Sequence, residues 1–125
     1  MNKYLMISVM LLISFGARAT DNLQQEVTHL LNFVKSSSCI FIRNGDEHSA
    51  KDAAKHIQRK YEHYEDDIQT AEQFIELSAT KSTMSGDIYH VKCNGVKQTS
   101  QGWLTNELYR FRAQQENLQP SNAAG

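Results

Sequence analysis

Cys39 to His56 reads CIFIRNGDEHSAKDAAKH: strand-like alternation, then an Arg-Asn-Gly turn, then an amphipathic helix. Cys39, Phe41 and Arg43 fall on one side of the alternation and Ile40 and Ile42 on the other, the period of two that a strand imposes. Asn44 and Gly45 tolerate the positive φ of a tight turn. Ser49 stands three residues before Asp52, the spacing of a capping-box variant in which the serine hydroxyl satisfies a free backbone N–H at a helix start. The helix so begun puts Ala50, Ala53, Ala54, Ile57, Tyr61 and Tyr64 on an apolar face. A strand, a turn and a helix in eighteen residues point to an α+β fold. They also raise the question of why the strand ends in arginine.

Ile88 to Cys93, IYHVKC, alternates in the same way and runs into a second Asn-Gly at Asn94-Gly95. If the two strands are antiparallel with Cys39 facing Cys93, then Phe41 faces Val91 and Arg43 faces Tyr89, and all six share one face. This register makes a disulfide, an aromatic-aliphatic pair and an arginine-tyrosine contact mutually consistent. On either side the pattern is helical. Leu23, Val27, Leu30, Leu31 and Val34 line a first helix that Ser36-Ser37-Ser38 ends; Ile68, Ala71, Phe74, Ile75 and Ala79 line a third, with Asp66 or Asp67 as its cap. Thr80 to Asp87 is a polar loop, and a fourth helix from about Gln101 carries Trp103, Leu104, Leu108 and Phe111. The expectation is a mostly helical α+β domain of about four helices, with a short two-stranded antiparallel ribbon and one disulfide. There are no internal repeats in the sequence.

The first nineteen residues, MNKYLMISVMLLISFGARA, combine Lys3, an apolar run from Tyr4 to Phe15, and small residues at Ala17 and Ala19. That is the pattern of a secretory signal peptide cleaved after Ala19. The run is shorter than the ~20 residues a membrane span needs, so the mature chain is expected to be soluble and periplasmic. Cleavage leaves one domain over residues 20–116 and a disordered tail over 117–125. Eleven basic and fourteen acidic residues then remain, a net charge of −3, which disfavours nucleic acid as a partner. Cys39 and Cys93, the two cysteines, are read as one disulfide in an oxidising compartment.

Three constellations bear on chemistry. Ser78-Ala79-Thr80-Lys81 matches S-x-x-K, but the S-D-N and K-T-G elements of serine β-lactamases are missing. A serine hydrolase built from Ser78 or Ser82 with Lys81 and His48 is the least favoured alternative. His48, Asp52, His56 and His63 follow one another along one helix face and could ligate a metal at i and i+4 spacing; a solvated face outweighs that reading. The leading site is the Arg43 turn. Arg43 offers a rigid donor fork, His48 a titratable donor, and Asn44-Gly45 a turn before a helix N-terminus whose free N–H groups favour anions. With Ser82, Ser85, Gly86 and Tyr89 from the later loop and strand, they suit a carboxylate, a phosphate or a peptide terminus. The expected function is a noncatalytic periplasmic binding or interaction module for a protein partner or a small acidic ligand, with no cofactor.

At FIRNGDEH (Phe41 to His48), TAEQFI (Thr70 to Ile75) and SGDIYHV (Ser85 to Val91), the chain resembles the YfeK-like family of small exported Gram-negative bacterial proteins. The resemblance spans roughly Leu30 to Leu108. It departs at Asp87 and Ile88, where a small basic residue and a proline are usual. The family is a domain of unknown function, so the resemblance implies an exported single domain and carries over no activity.

Overall fold

The computed structural model describes residues 16–118. Residues 1–15, most of the expected signal segment, and residues 119–125 of the expected tail lie outside the described residues. Asn117 and Leu118, assigned to that tail, still belong to the last helix.

Helix α1 (Gly16–Ser36) buries Val27, Leu30 and Val34, the stripe its spacing foretells. Strand β1 (Ile40–Arg43) follows, and Asn44-Gly45 turns it back into β2 (Asp46–His48). Helix α2 (Ala50–Tyr64) begins at Ser49, whose Oγ accepts from the Asp52 N–H at 3.2 Å. A single 3-10 turn, Glu65–Asp67, separates it from α3 (Ala71–Ala79). The cap of α3 is Thr70 and not Asp66 or Asp67. Thr70 and Gln73 form a full capping box, whereas the acidic run has already closed into the 3-10 turn. Strands β3 (His90–Cys93) and β4 (Val96–Thr99) form a second hairpin around Asn94-Gly95, and α4 (Ser100–Leu118) ends the fold.

The sheet therefore has four strands, in the order β2-β1-β3-β4 with every neighbouring pair antiparallel. The expected ribbon is its centre. Phe41 pairs with Val91 and Ile42 with His90, so Arg43 and Tyr89 come next in register, and the disulfide joins Cys39 to Cys93 at the other end. The two outer strands follow from the turns. Asn44 and Asn94 have φ near +51° and +52°, Gly45 and Gly95 have φ +81°, and two successive left-handed residues make the type I′ turn whose twist matches a hairpin.

The order of elements is the same twice over: helix, strand, Asn-Gly, strand, helix. An offset of fifty residues superposes the two turns, and also the two caps, because the Thr99 Oγ1 accepts from the Gly102 N–H as Ser49 does from Asp52. Ile57 and Tyr61 of α2 correspond to buried Glu107 and Phe111 of α4. Asn-Gly is the sole identity at that offset between Cys39–Tyr61 and Tyr89–Phe111, so the repeat is one of structure and not of sequence. The sheet order is symmetric about the β1–β3 ladder. That symmetry makes the Arg43–Tyr89 position equivalent to the disulfide.

All four helices and the inner face of β1 and β3 share one core. Trp103 sits between Phe33 and Phe41, tilted against the first and edge-on to the second, with ring centroids 4.5 and 5.5 Å away. Polar anchors tie the helices at their edges. Glu107, 6% exposed, receives both Nε and Nη2 of Arg110 at 2.7 Å and lies 2.6 Å from His29 Nε2; the Arg110 hydrogen bond holds its carboxyl below the usual range. Arg112 of α4 grips Glu26 of α1 and Glu72 of α3 together at 2.7 to 3.0 Å.

Candidate functional site

Arg43 is the last residue of β1 and points inward, toward α2. The flank of α2 that meets it carries His56 and Lys60, one turn apart, and Tyr89 lies just before β3. His56 Nε2 is 3.2 Å from the Tyr89 hydroxyl, and the rings meet edge to face. Lys60 Nζ donates to the Lys81 carbonyl at 2.8 Å and to the Tyr89 hydroxyl at 3.4 Å, and sits 5.1 Å from the tyrosine ring centre. Arg43 makes no hydrogen bond or ion pair among the described residues, and its Nε is buried without a partner. Asp46 faces it across the hairpin, yet no ion pair joins them.

These groups open onto a cleft of about 460 Å³ whose walls include Arg59, His63 and Tyr64 of α2 and Ser82, Thr83 and Met84 of the loop. No aspartate or glutamate lines it. Burial and the accumulated charge together set the protonation of these groups. Burial, then Arg43, Lys60, Arg59 and His48, push the His56 imidazole down to about 4, so it is neutral at pH 7. Burial and then Arg43 lower the Lys60 ammonium, and burial raises the Tyr89 phenol. Arg43, Arg59 and Lys60 therefore face a cleft with no acidic side chain in its walls.

The loop from Thr80 to Asp87 is held against this cleft by its own turns. The Gly86 N–H donates to the Ser82 carbonyl, the Ser85 N–H to Ser82 Oγ, and the Ser85 hydroxyl to Asn44 Oδ1 at 2.8 Å. The last bond clips the loop to the first hairpin turn. Gly86 has φ +78°, which favours glycine.

Of the eight residues expected at the site, Arg43, Asn44, Ser82 and Tyr89 line the cleft. Ser85 braces Asn44, and Gly45 and Gly86 shape the two turns. His48 stands one strand further out, opposite Phe41, and does not line it. The helix N-terminus is not part of the cradle either. β2 intervenes, Ser49 caps α2, and Arg43 meets the middle of the helix. Lys60 and Arg59 were not foreseen. Their signal was the Ala53-His56-Lys60 spacing, legible only once β1 is known to lie along that flank.

Among the described residues no three His, Cys, Asp or Glu side chains gather to hold a metal ion. His56 turns inward from the supposed solvated face and sits among cations. Ser78 is 0% exposed, and among the described residues no histidine or lysine side chain hydrogen-bonds Ser82. Among the described residues no helix is long and apolar enough to cross a membrane.

Residues 21–112 match the family of unknown function DUF5329. Over 92 residues the chain is 35% identical to the uncharacterized protein YfeK of Salmonella typhimurium, covering 71% of this chain and 77% of that protein. No solved structure matches. The chain belongs to the DUF5329 family.

Proposed function

We propose that this DUF5329 protein is a noncatalytic binding module of the periplasm, exported by its first nineteen residues, and that the Arg43 cleft accepts an acidic group of its ligand or partner. The observation that carries the reading is the unpaired cation cluster: Arg43 with a buried, unpartnered Nε, beside Lys60 and Arg59, in a cleft without acidic walls. A buried donor left unsatisfied costs about 1–3 kcal/mol, and a bound oxyanion would satisfy it. Tyr89, Ser82 and Thr83 add hydroxyl donors of the kind that orient a carboxylate or phosphate oxygen. Neutral His56 can take up a proton when an anion arrives.

The test is thermal unfolding of the oxidised mature protein with increasing inorganic phosphate, beside Arg43→Ala. Phosphate is expected to raise the wild-type Tm and leave the Tm of Arg43→Ala unmoved, while the two proteins melt within a few degrees of each other in its absence. Equal stabilisation of both proteins, or an arginine variant that does not fold, would remove the site.

A further inference from the structure

Arg59 is a wall common to two clefts. One is the Arg43 cleft; the other, of about 490 Å³, lies between α1 and α2. Lys35 of α1 and Lys51 and Lys55 of α2 surround this second cleft, and again no acidic residue lines it. Six of the thirteen lysines and arginines thus gather along two adjoining clefts of a chain whose net charge is −1. None of the six makes an ion pair among the described residues.

We infer that the two clefts form one continuous groove for an extended acidic peptide segment of a partner protein. The inference rests on the Arg43 cleft being an anion site and names the class of its ligand. Lys51, Lys55 and Arg59 follow one another at intervals of four along α2, a stripe about 12 Å long at 1.5 Å per residue. An extended peptide covers that length with about four residues, so carboxylates at alternate or neighbouring positions meet successive cations. Leu31 and Ala54 give the second cleft an apolar floor between the lysines, and Asn32 offers an amide that can pair with a peptide group. Met84, 97% exposed at the rim of the first cleft, supplies another apolar contact. A phosphate polymer would use the cations and leave the apolar floor empty; an acidic peptide with leucine-like side chains uses both.

The probe is a fluorescein-labelled peptide of repeating Glu-Glu-Leu units, titrated by anisotropy against the oxidised mature protein, beside its Glu-Glu-Gly counterpart and with tripolyphosphate as competitor. Lys51→Glu/Lys55→Glu and Arg43→Ala are each expected to weaken the leucine peptide by at least about tenfold. Replacing leucine by glycine is expected to weaken it by about fivefold. Phosphate stabilisation of the lysine variant stays at the wild-type level. A lysine variant that binds the peptide within about twofold of wild type, with phosphate still bound, would sink the groove and spare the Arg43 site. Loss of phosphate and peptide binding alike in wild type would remove both readings. Equal affinity for the two peptides, together with tighter binding of tripolyphosphate, would reassign the groove to a polyanion.

Discussion

His56 of α2 and Tyr89, just before β3, meet through imidazole nitrogen and hydroxyl at 3.2 Å, and the histidine is held neutral there. Its titration runs from about 4 in the folded protein to the ordinary 6.5 in the unfolded chain. Between those values the unfolded chain binds the additional proton, so the contribution of His56 to stability is complete above pH 6.5 and is lost as pH falls toward 4. Burial enforces this first, and after it the charges of Arg43 of β1, Lys60 and Arg59 of α2, and His48 of β2. Thermal unfolding across that window should show a wild-type decline that His56→Gln flattens. Phosphate should blunt the decline, because a bound anion favours the imidazolium. An unchanged slope in the glutamine variant would place the titration elsewhere.

Gly45→Ala and Gly95→Ala should each destabilise by about 1–2 kcal/mol, the cost of holding an L-residue in the left-handed region. A Cβ at either glycine meets nothing within 4 Å, so the loss is conformational and not steric. Denaturant titration measures it. The two variants should part company in binding: only the first hairpin carries Arg43, so only Gly45→Ala should weaken phosphate.

Reducing the Cys39–Cys93 bridge, or replacing both cysteines by alanine, should cost about 4 kcal/mol by loop-closure entropy for a separation of 54 residues. Urea unfolding with and without reductant gives the value. A change below about 1 kcal/mol would mean that the β1–β3 register is held by side-chain packing alone.

Arg112→Met should cost about 1–2 kcal/mol at neutral pH, because the arginine is only 35% exposed and joins α4 to both α1 and α3. Hydrogen bonding from Arg112 holds the Glu72 carboxyl below its ordinary value. That stabilisation is present above the ordinary carboxylate pKa and lost as pH falls through the folded one. The gap between wild type and variant should therefore narrow in acid.

The strand register was legible because it had three witnesses in the sequence: two cysteines, the Phe41–Val91 pair, and alternation that places Arg43 against Tyr89. The outer strands were not. Asp46-Glu47-His48 has no apolar alternation, and only the Asn-Gly turn before it announces a hairpin. The site was half legible for a related reason. Arg43, Asn44, Ser82 and Tyr89 sit on short segments whose order constrains them, but the approach of α2 to the sheet is a matter of tertiary packing. His56 reads as part of a solvated face, and Lys60 carries no signal of its own, until β1 is laid beside them. Likewise Glu107 reads as a surface acid; its burial depends on Arg110 one turn away and on His29 from a helix at the other end of the chain.

The sheet's two free margins carry a consequence for the chain's behaviour in a crowd. β2 is three residues long and wholly polar, DEH, and β4 is VKQT, with Lys97 in its middle. Of the apolar strand residues, Phe41, Ile42 and Val91 are interior to the sheet, paired on both sides, while Val96 lies on the β4 margin. Short, charged margins make poor templates for a neighbouring strand. The pair of hairpins thus shields the most aggregation-prone segments of the sequence from other copies of the chain, and removing either Asn-Gly turn would expose a central strand as a new edge.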